Sequence, residues 1–296
     1  MDDLFTAAET FLLAEARLLE RRLFANRFRG APAAGVIDAL RGYQNDDGGF
    51  GHGLEPDKRC PASLPIDVEF AFQVSAAAGT PDPEMLGRAC DFLSRTATRV
   101  DAGGAVPLAF PIIESYPRAE HWTEWTYEPG LNPTAGLAGL LYLLDFEHPW
   151  RDEATRYCWK ALESGKLPDE VHALGEVFVF LEHVPDRARA EEHAAAVLEH
   201  MTAQTMFHLD PETPGYGLSP LQVAPTPDSR SRKLFTEAQI TAHLDHLARN
   251  QQPDGSWPIT WDPPSAAALL EWRGIVTLHA LRTLDANGRL DSPAPG

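Results

Sequence analysis

The chain has 296 residues, 44% of them hydrophobic and 23% charged, which excludes a disordered or fibrous protein and suffices for one large core. Its 25 Lys plus Arg stand against 43 Asp plus Glu, a formal charge of -18, so a nucleic-acid backbone or an anionic membrane surface is a poor partner. Cys60, Cys90 and Cys158 match no zinc knuckle or redox pair. They are expected as reduced thiols in a cytoplasmic protein. The acidic start Met1-Asp2-Asp3-Leu4 is unlike a signal peptide, and no apolar run approaches the roughly 18 residues of a transmembrane segment.

In chain order, residues 3 to 28 predict a first helix with Leu12, Ala16, Leu19 and Leu23 on one stripe. Pro32 opens a second, ending near Tyr43, and Gly48, Gly49, Gly51 and Gly53 form the loop after it. A third helix is predicted from Pro65 to Ala78 and a fourth from Pro83 to Thr98, before an Asp101-Ala102-Gly103-Gly104 turn. Residues 103 to 131 form an irregular, aromatic-rich stretch, and unstructured loops of that length are commonly functional. Helices follow at 132 to 145, 151 to 164, 168 to 184 and 186 to 205, then a proline-rich stretch from 207 to 233. Thr236 caps a helix to Asn250, and Pro263-Pro264 opens the last, ending near Asn287-Gly288. No stretch alternates as a strand does, so the prediction is an all-α single domain spanning 1 to 296.

A turn recurs. Gln44-Asn45-Asp46-Asp47-Gly48-Gly49-Phe50 and Gln251-Gln252-Pro253-Asp254-Gly255-Ser256-Trp257 each follow a helix. Gly supplies positive φ, Asp binds neighbouring amides, Gln pairs with a following helix, and the ring packs between repeats. The second copy resembles the QW motif of squalene-hopene cyclases, and the first is similar to the repeat that those terpenoid cyclases share with protein prenyltransferase β subunits. The resemblance implies an alpha/alpha toroid, or barrel, of about ten to twelve helices around a cavity that takes a small apolar or isoprenoid substrate. It also implies class II cyclase-like chemistry, started by protonation from a carboxylic acid. The cyclases' Asp-x-Asp-Asp string does not occur in this sequence; the nearest approach is Asp67-Val68-Glu69. The prenyltransferases' zinc-binding Asp-x-Cys is also missing, since Asp57-Lys58-Arg59-Cys60 has another spacing. No metal and no cofactor are expected.

The helix carrying Asp67 and Glu69 is apolar nearly all round, which marks a buried helix where a carboxyl would stay protonated. Positions i and i+2 lie about 200° apart, so one of the two is expected to face the cavity and the other to be structural. Glu55-Pro56-Asp57, with Lys58 and Arg59 beside it, is the competing acidic pair. Trp122, Trp125, Tyr127, Trp261 and Trp272, together with Arg59, are the expected substrate-binding residues, because aromatic faces stabilise cations or stack on sugars. A carbohydrate-active barrel would use Glu124 and Glu128 as its acid and base. A non-catalytic barrel for an apolar ligand or protein partner is the third reading. His172, Glu176 and His183 share a stripe expected to be an exposed polar face, and His243 and His246 are expected on the solvent side. Gly136 and Gly139 are expected to permit close helix approach. Arg230, Arg232 and Lys233 are a basic run that could attract a diphosphate.

Overall fold

The computed structural model describes residues 2–98, 103–123 and 126–290. Among them are twelve α-helices, three short 3-10 turns and no strand, only three isolated bridge pairs. Helices alternate between an outer and an inner layer. The inner series is α2 (Leu18–Arg29), α4 (Pro65–Ala78), α6 (Leu131–Leu143), α8 (Val171–His183), α10 (Pro220–Val223) and α12 (Ala266–Ala286). The outer series is α1 (Asp2–Glu15), α3 (Ala34–Arg41), α5 (Pro83–Thr96), α7 (Pro149–Glu163), α9 (Arg187–Thr202) and α11 (Glu237–Arg249). From α2 to α10 each inner helix packs on the next, and α12 packs on α2 and α1, so the chain's two ends meet. This is an alpha/alpha toroid.

Local chemistry explains the boundaries. α4 matches its predicted span because Pro65 suits a first helical position and Gly79, at φ 72°, ends it. The predicted helix over 3 to 28 is two helices. Arg17 is extended at ψ 161° and bonds Glu20 and the Leu54 carbonyl, so the chain steps from outer to inner layer there. Two starts also move. α3 begins at Ala34 rather than at Pro32, and α12 at Ala266, because Ser265 accepts the Ala268 amide and caps it. The stretch from 207 to 233 contains the single turn α10, capped by Ser219 with Gln222. Asp101 and Ala102 of the predicted turn lie outside the described residues.

The two similar turns are equivalent in space. Gln44 Nε2 donates to the carbonyls of Gly48, at 2.9 Å, and of Met85 in the first turn of α5, at 3.0 Å. Gln251 Nε2 donates to Gly255, at 3.0 Å, and to Leu4 in the first turn of α1, at 2.7 Å. Gly48 and Gly255 have φ of 88° and 89°, and an added Cβ would overlap the Arg88 or Ala7 carbonyl. A third copy was hidden. Thr98 and Ala105 pair as Asn45 and Gly49 do, and a Cβ on Gly104 would lie 2.6 Å from the α7 backbone. Ala97 replaces the glutamine there.

Packing is tightest where α6 meets α8. A Cβ on Gly139 would lie 2.5 Å from the Val179 carbonyl oxygen, so close approach requires the missing side chain. Cys60, Cys90 and Cys158 are free and buried. No described helix is long and apolar enough to cross a membrane.

Candidate active site at the toroid mouth

The glycine loop after α3 carries Glu55 to Arg59 and is clamped at one end of the ring. Asp57 O accepts the Ala119 amide at 2.8 Å, and the Arg59 amide donates to Pro117 O at 2.9 Å. Arg59 forms a bidentate pair with Glu271 of α12. These contacts fix Asp57 against the start of the last inner helix.

Asp57 is the centre of the mouth. Trp272 Nε1–H donates to its Oδ1 at 2.7 Å and Trp261 Nε1–H to the same atom at 3.3 Å. His121 Nε2 lies 3.4 Å from Oδ2. Burial pushes the Asp57 carboxyl up, against the two indole donors and Lys58, which hold it down. Partial desolvation lowers the half-exposed His121 imidazole. Around this carboxyl the rings form a continuous wall. Phe70 meets Trp272 edge-on at 5.8 Å, Trp272 meets Trp261 at 5.1 Å, and Trp261 meets Tyr216 at 5.5 Å. Tyr216 stacks on His172 at 5.6 Å, and its hydroxyl lies 2.7 Å from His172 Nε2. Glu170 caps α8, meets His172 Nδ1 at 2.7 Å and accepts from Asn132 at 3.2 Å. Burial would raise Glu170, but the bonds from His172, Asn132 and the helix amides hold it below the usual range.

The other predicted acids are turned elsewhere. Glu55 is fully used by a buried pair with Lys58, whose Nζ lies 4.6 Å over the Trp122 ring. Burial raises Glu55 and Lys58 opposes it. Asp67 Oδ1 accepts the Glu55 amide at 2.7 Å while Oδ2 is buried without a partner. Desolvation pushes Asp67 up to about 7. Glu69, on the opposite face of α4, lies beside Glu176 of α8 and accepts from Gln73 at 3.2 Å. Burial takes Glu69 to about 7 and Glu176 well above its ordinary value. Two carboxyls facing one another must share a proton.

Of the predicted ligand-binding residues, Trp261, Trp272 and Arg59 gather at the mouth. Trp122 is buried under Lys58 and forms wall rather than open surface. Tyr127 packs on the separate cluster around Leu64 and Ile113 and bonds Glu114 at 2.8 Å. Trp125 and Glu124 lie outside the described residues, and Glu128 is exposed. Three expectations are corrected. Glu176 is interior, because α8 packs face to face with α6. His243 is 5% exposed, its Nε2 bonded to the Leu209 carbonyl. Arg232 pairs with Glu237 and Asn287, and Lys233 with Glu191, so that run is occupied by its own neighbours. His121 was not singled out from the sequence; its place beside Trp122 in the aromatic stretch was the available signal.

No family model matches the chain, and no curated protein does. A solved structure of a protein from Actinoplanes is similar, with TM-score 0.57 and 18% sequence identity over 97% of this chain and 100% of that one. At that identity the likeness concerns the fold.

Proposed function

We propose that the chain is an enzyme whose substrate acquires positive charge against the indole wall, with the Asp57 carboxyl as proton donor. The observation that carries this reading is the position of Asp57: a carboxyl raised by burial and held by Trp261 and Trp272, beside a wall of half-buried rings. Aromatic faces attract a developing cation by about 0.5–2 kcal/mol each, and the carboxylate left after proton transfer adds its own charge. The turns favour an unsaturated isoprenoid as substrate, as in the terpenoid cyclases they resemble. A carbon–hydrogen bond then forms as the alkene π bond and the Asp57 O–H bond break, and the proton returns to Asp57 when the cation is deprotonated.

The second reading is a glycoside, protonated at its bridging oxygen and departing as an oxocarbenium ion. It is favoured by the Tyr216–Trp261–Trp272 platform, and the repeated turn does not oppose it, since Gln44 and Gln251 are engaged with outer-helix carbonyls. Mass spectrometry of the lipid extracted from purified protein, followed by turnover assays on squalene, linear polyprenols and oligosaccharides, separates the two. Asp57→Asn is expected to reduce turnover of the true substrate by about 100-fold or more. Full activity in that variant would overturn the assignment of the acid.

A further inference from the structure

A cleft of about 210 Å³ opens where the fifth inner helix is cut to the single turn of α10, with α11 and α12 as its far wall. Its lining includes His208, His243, His246 and His279, with Ser219, Gln222, Thr260 and Thr283 between them, and no Asp, Glu, Lys or Arg. We propose that this cleft is a subsite for one uncharged, multiply hydroxylated unit, a sugar ring or a cyclic polyol.

The chemistry of the lining supports that class. Two of the imidazoles, His243 and His279, are lowered by their surroundings. His243 Nε2–H donates to Leu209 O at 3.1 Å, leaving Nδ1 as an acceptor. His246 Nδ1 faces Glu212, whose carboxylate is also held by Arg249 at 2.9 Å. The protein walls around His279 lower its imidazole, with Arg282 pushing the same way, while the ring stays open to the cleft. His243 Nδ1, the Thr260 and Thr283 hydroxyls and the Gln222 amide N–H offer donors and acceptors together, which is what a vicinal diol presents in return. A phosphate or diphosphate would find no Lys or Arg among these side chains. A transition metal would find no cluster either, since among the described residues no three His, Cys, Asp or Glu side chains are grouped to hold one. The size fits a single ring, being below the roughly 300–1,000 Å³ of sites for drug-sized ligands.

Position joins the cleft to the mouth. Gly215 and Gly217, which line it, flank Tyr216, and Thr260 adjoins Trp261. Gly217 lets the His208 ring lie against the backbone there, since a Cβ would be 2.5 Å from it. A ring in the cleft therefore abuts the Tyr216–Trp261 edge of the wall that leads to Asp57. As a substrate subsite the cleft rests on the mouth being the reactive centre; binding of the ring does not.

Saturation-transfer NMR on the intact protein with methyl glycosides of glucose, galactose, mannose and xylose, and with myo-inositol, tests the proposal. At least one is expected to bind with a dissociation constant of about 1 mM, by the affinity available to so few atoms. Binding should weaken by at least 5-fold in both Thr260→Val and Thr283→Val and survive in Asp57→Asn. Inorganic phosphate should not compete. No binding by any of the five compounds, unchanged affinity in both threonine variants, or displacement by phosphate would overturn the subsite. Retained turnover in Asp57→Asn would instead overturn the reaction assigned to the mouth, leaving the cleft standing.

Discussion

Gln251 and Leu4 are joined across 247 positions of sequence by one hydrogen bond of 2.7 Å, from the glutamine amide to the first-turn carbonyl of α1. The bond ties the last helix pair to the first and so closes the ring. Gln44 makes the same bond to Met85, between neighbouring pairs. A half-buried amide lost from such a junction costs about 1–2 kcal/mol, because the carbonyl it served loses its partner. Gln251→Ala and Gln44→Ala are each expected to lower unfolding free energy by that amount, read from urea midpoints at constant slope. No change in either variant would mean that ring closure rests on apolar packing alone.

How much of this was legible depends on where each determinant sits. α4 could be bounded because Pro65 and Gly79 are local signals. The break at Arg17 could not, since the Leu54 carbonyl that holds it is 37 residues away. The third turn was hidden by Ala97, which keeps the backbone pattern without the glutamine. Asp57 was recognisable as an acid in a glycine loop, but its indole donors stand 204 and 215 residues away. Glu176 was misread because a carboxylate on a helix ordinarily faces water, and only the α6–α8 contact shows that this one does not.

Gly136 lies against both Glu69 and Glu176, and an added methyl would overlap the Glu176 carboxyl and lie 2.9 Å from Glu69 Oε1. Helix propensity alone would make Gly136→Ala stabilising by about 1 kcal/mol. The expected outcome is the opposite, a loss of about 1–3 kcal/mol by overpacking against two carboxyls confined by burial. Gly87→Ala, on α5 with only the Phe146 ring at 3.8 Å, is the control and should be stabilising. Equal gains in the two variants, measured by thermal unfolding, would show that the carboxyl pair yields without cost.

Asp67, Glu69 and Glu176 all have carboxyls raised in the folded chain, the first two to about 7, by burial. A raised acid makes the native state the stronger proton binder, so its contribution is fully present below the unfolded value near 4 and is lost as pH rises through about 7. For Asp67 alone the loss is on the order of 4 kcal/mol at about 1.4 kcal/mol per unit. The lowered acids, such as Glu170 and Asp254, act in the opposite sense only as pH falls through their own lower range. The lowered histidines His121, His243 and His279 favour the native state as pH rises to about 6.5, so unfolding midpoints in urea should fall between about pH 6.5 and about pH 8. Glu69→Gln should flatten that fall, and a midpoint that rises over the same interval would contradict the arrangement.

Trp272 gives Asp57 its shorter hydrogen bond, 2.7 Å against 3.3 Å from Trp261, so the two indoles should differ in their hold on the proton. Both donors stabilise the carboxylate against burial, which raises it. Trp272→Phe keeps a ring against Phe70 and removes the N–H, and a bond to a charged group is worth about 1.5–3 kcal/mol. The Asp57 carboxyl should then titrate about one to two units higher, since each unit corresponds to about 1.4 kcal/mol. Trp261→Phe should shift it by less. Carbon-13 NMR of labelled aspartate, with the Asp57 signal assigned by its absence in Asp57→Asn, reads this directly. If Asp57 is the proton donor, the alkaline limb of the activity profile should move by the same amount as the carboxyl signal, in the same direction and in the same order of variants. A shifted carboxyl with an unmoved activity profile would place the acid elsewhere in the mouth.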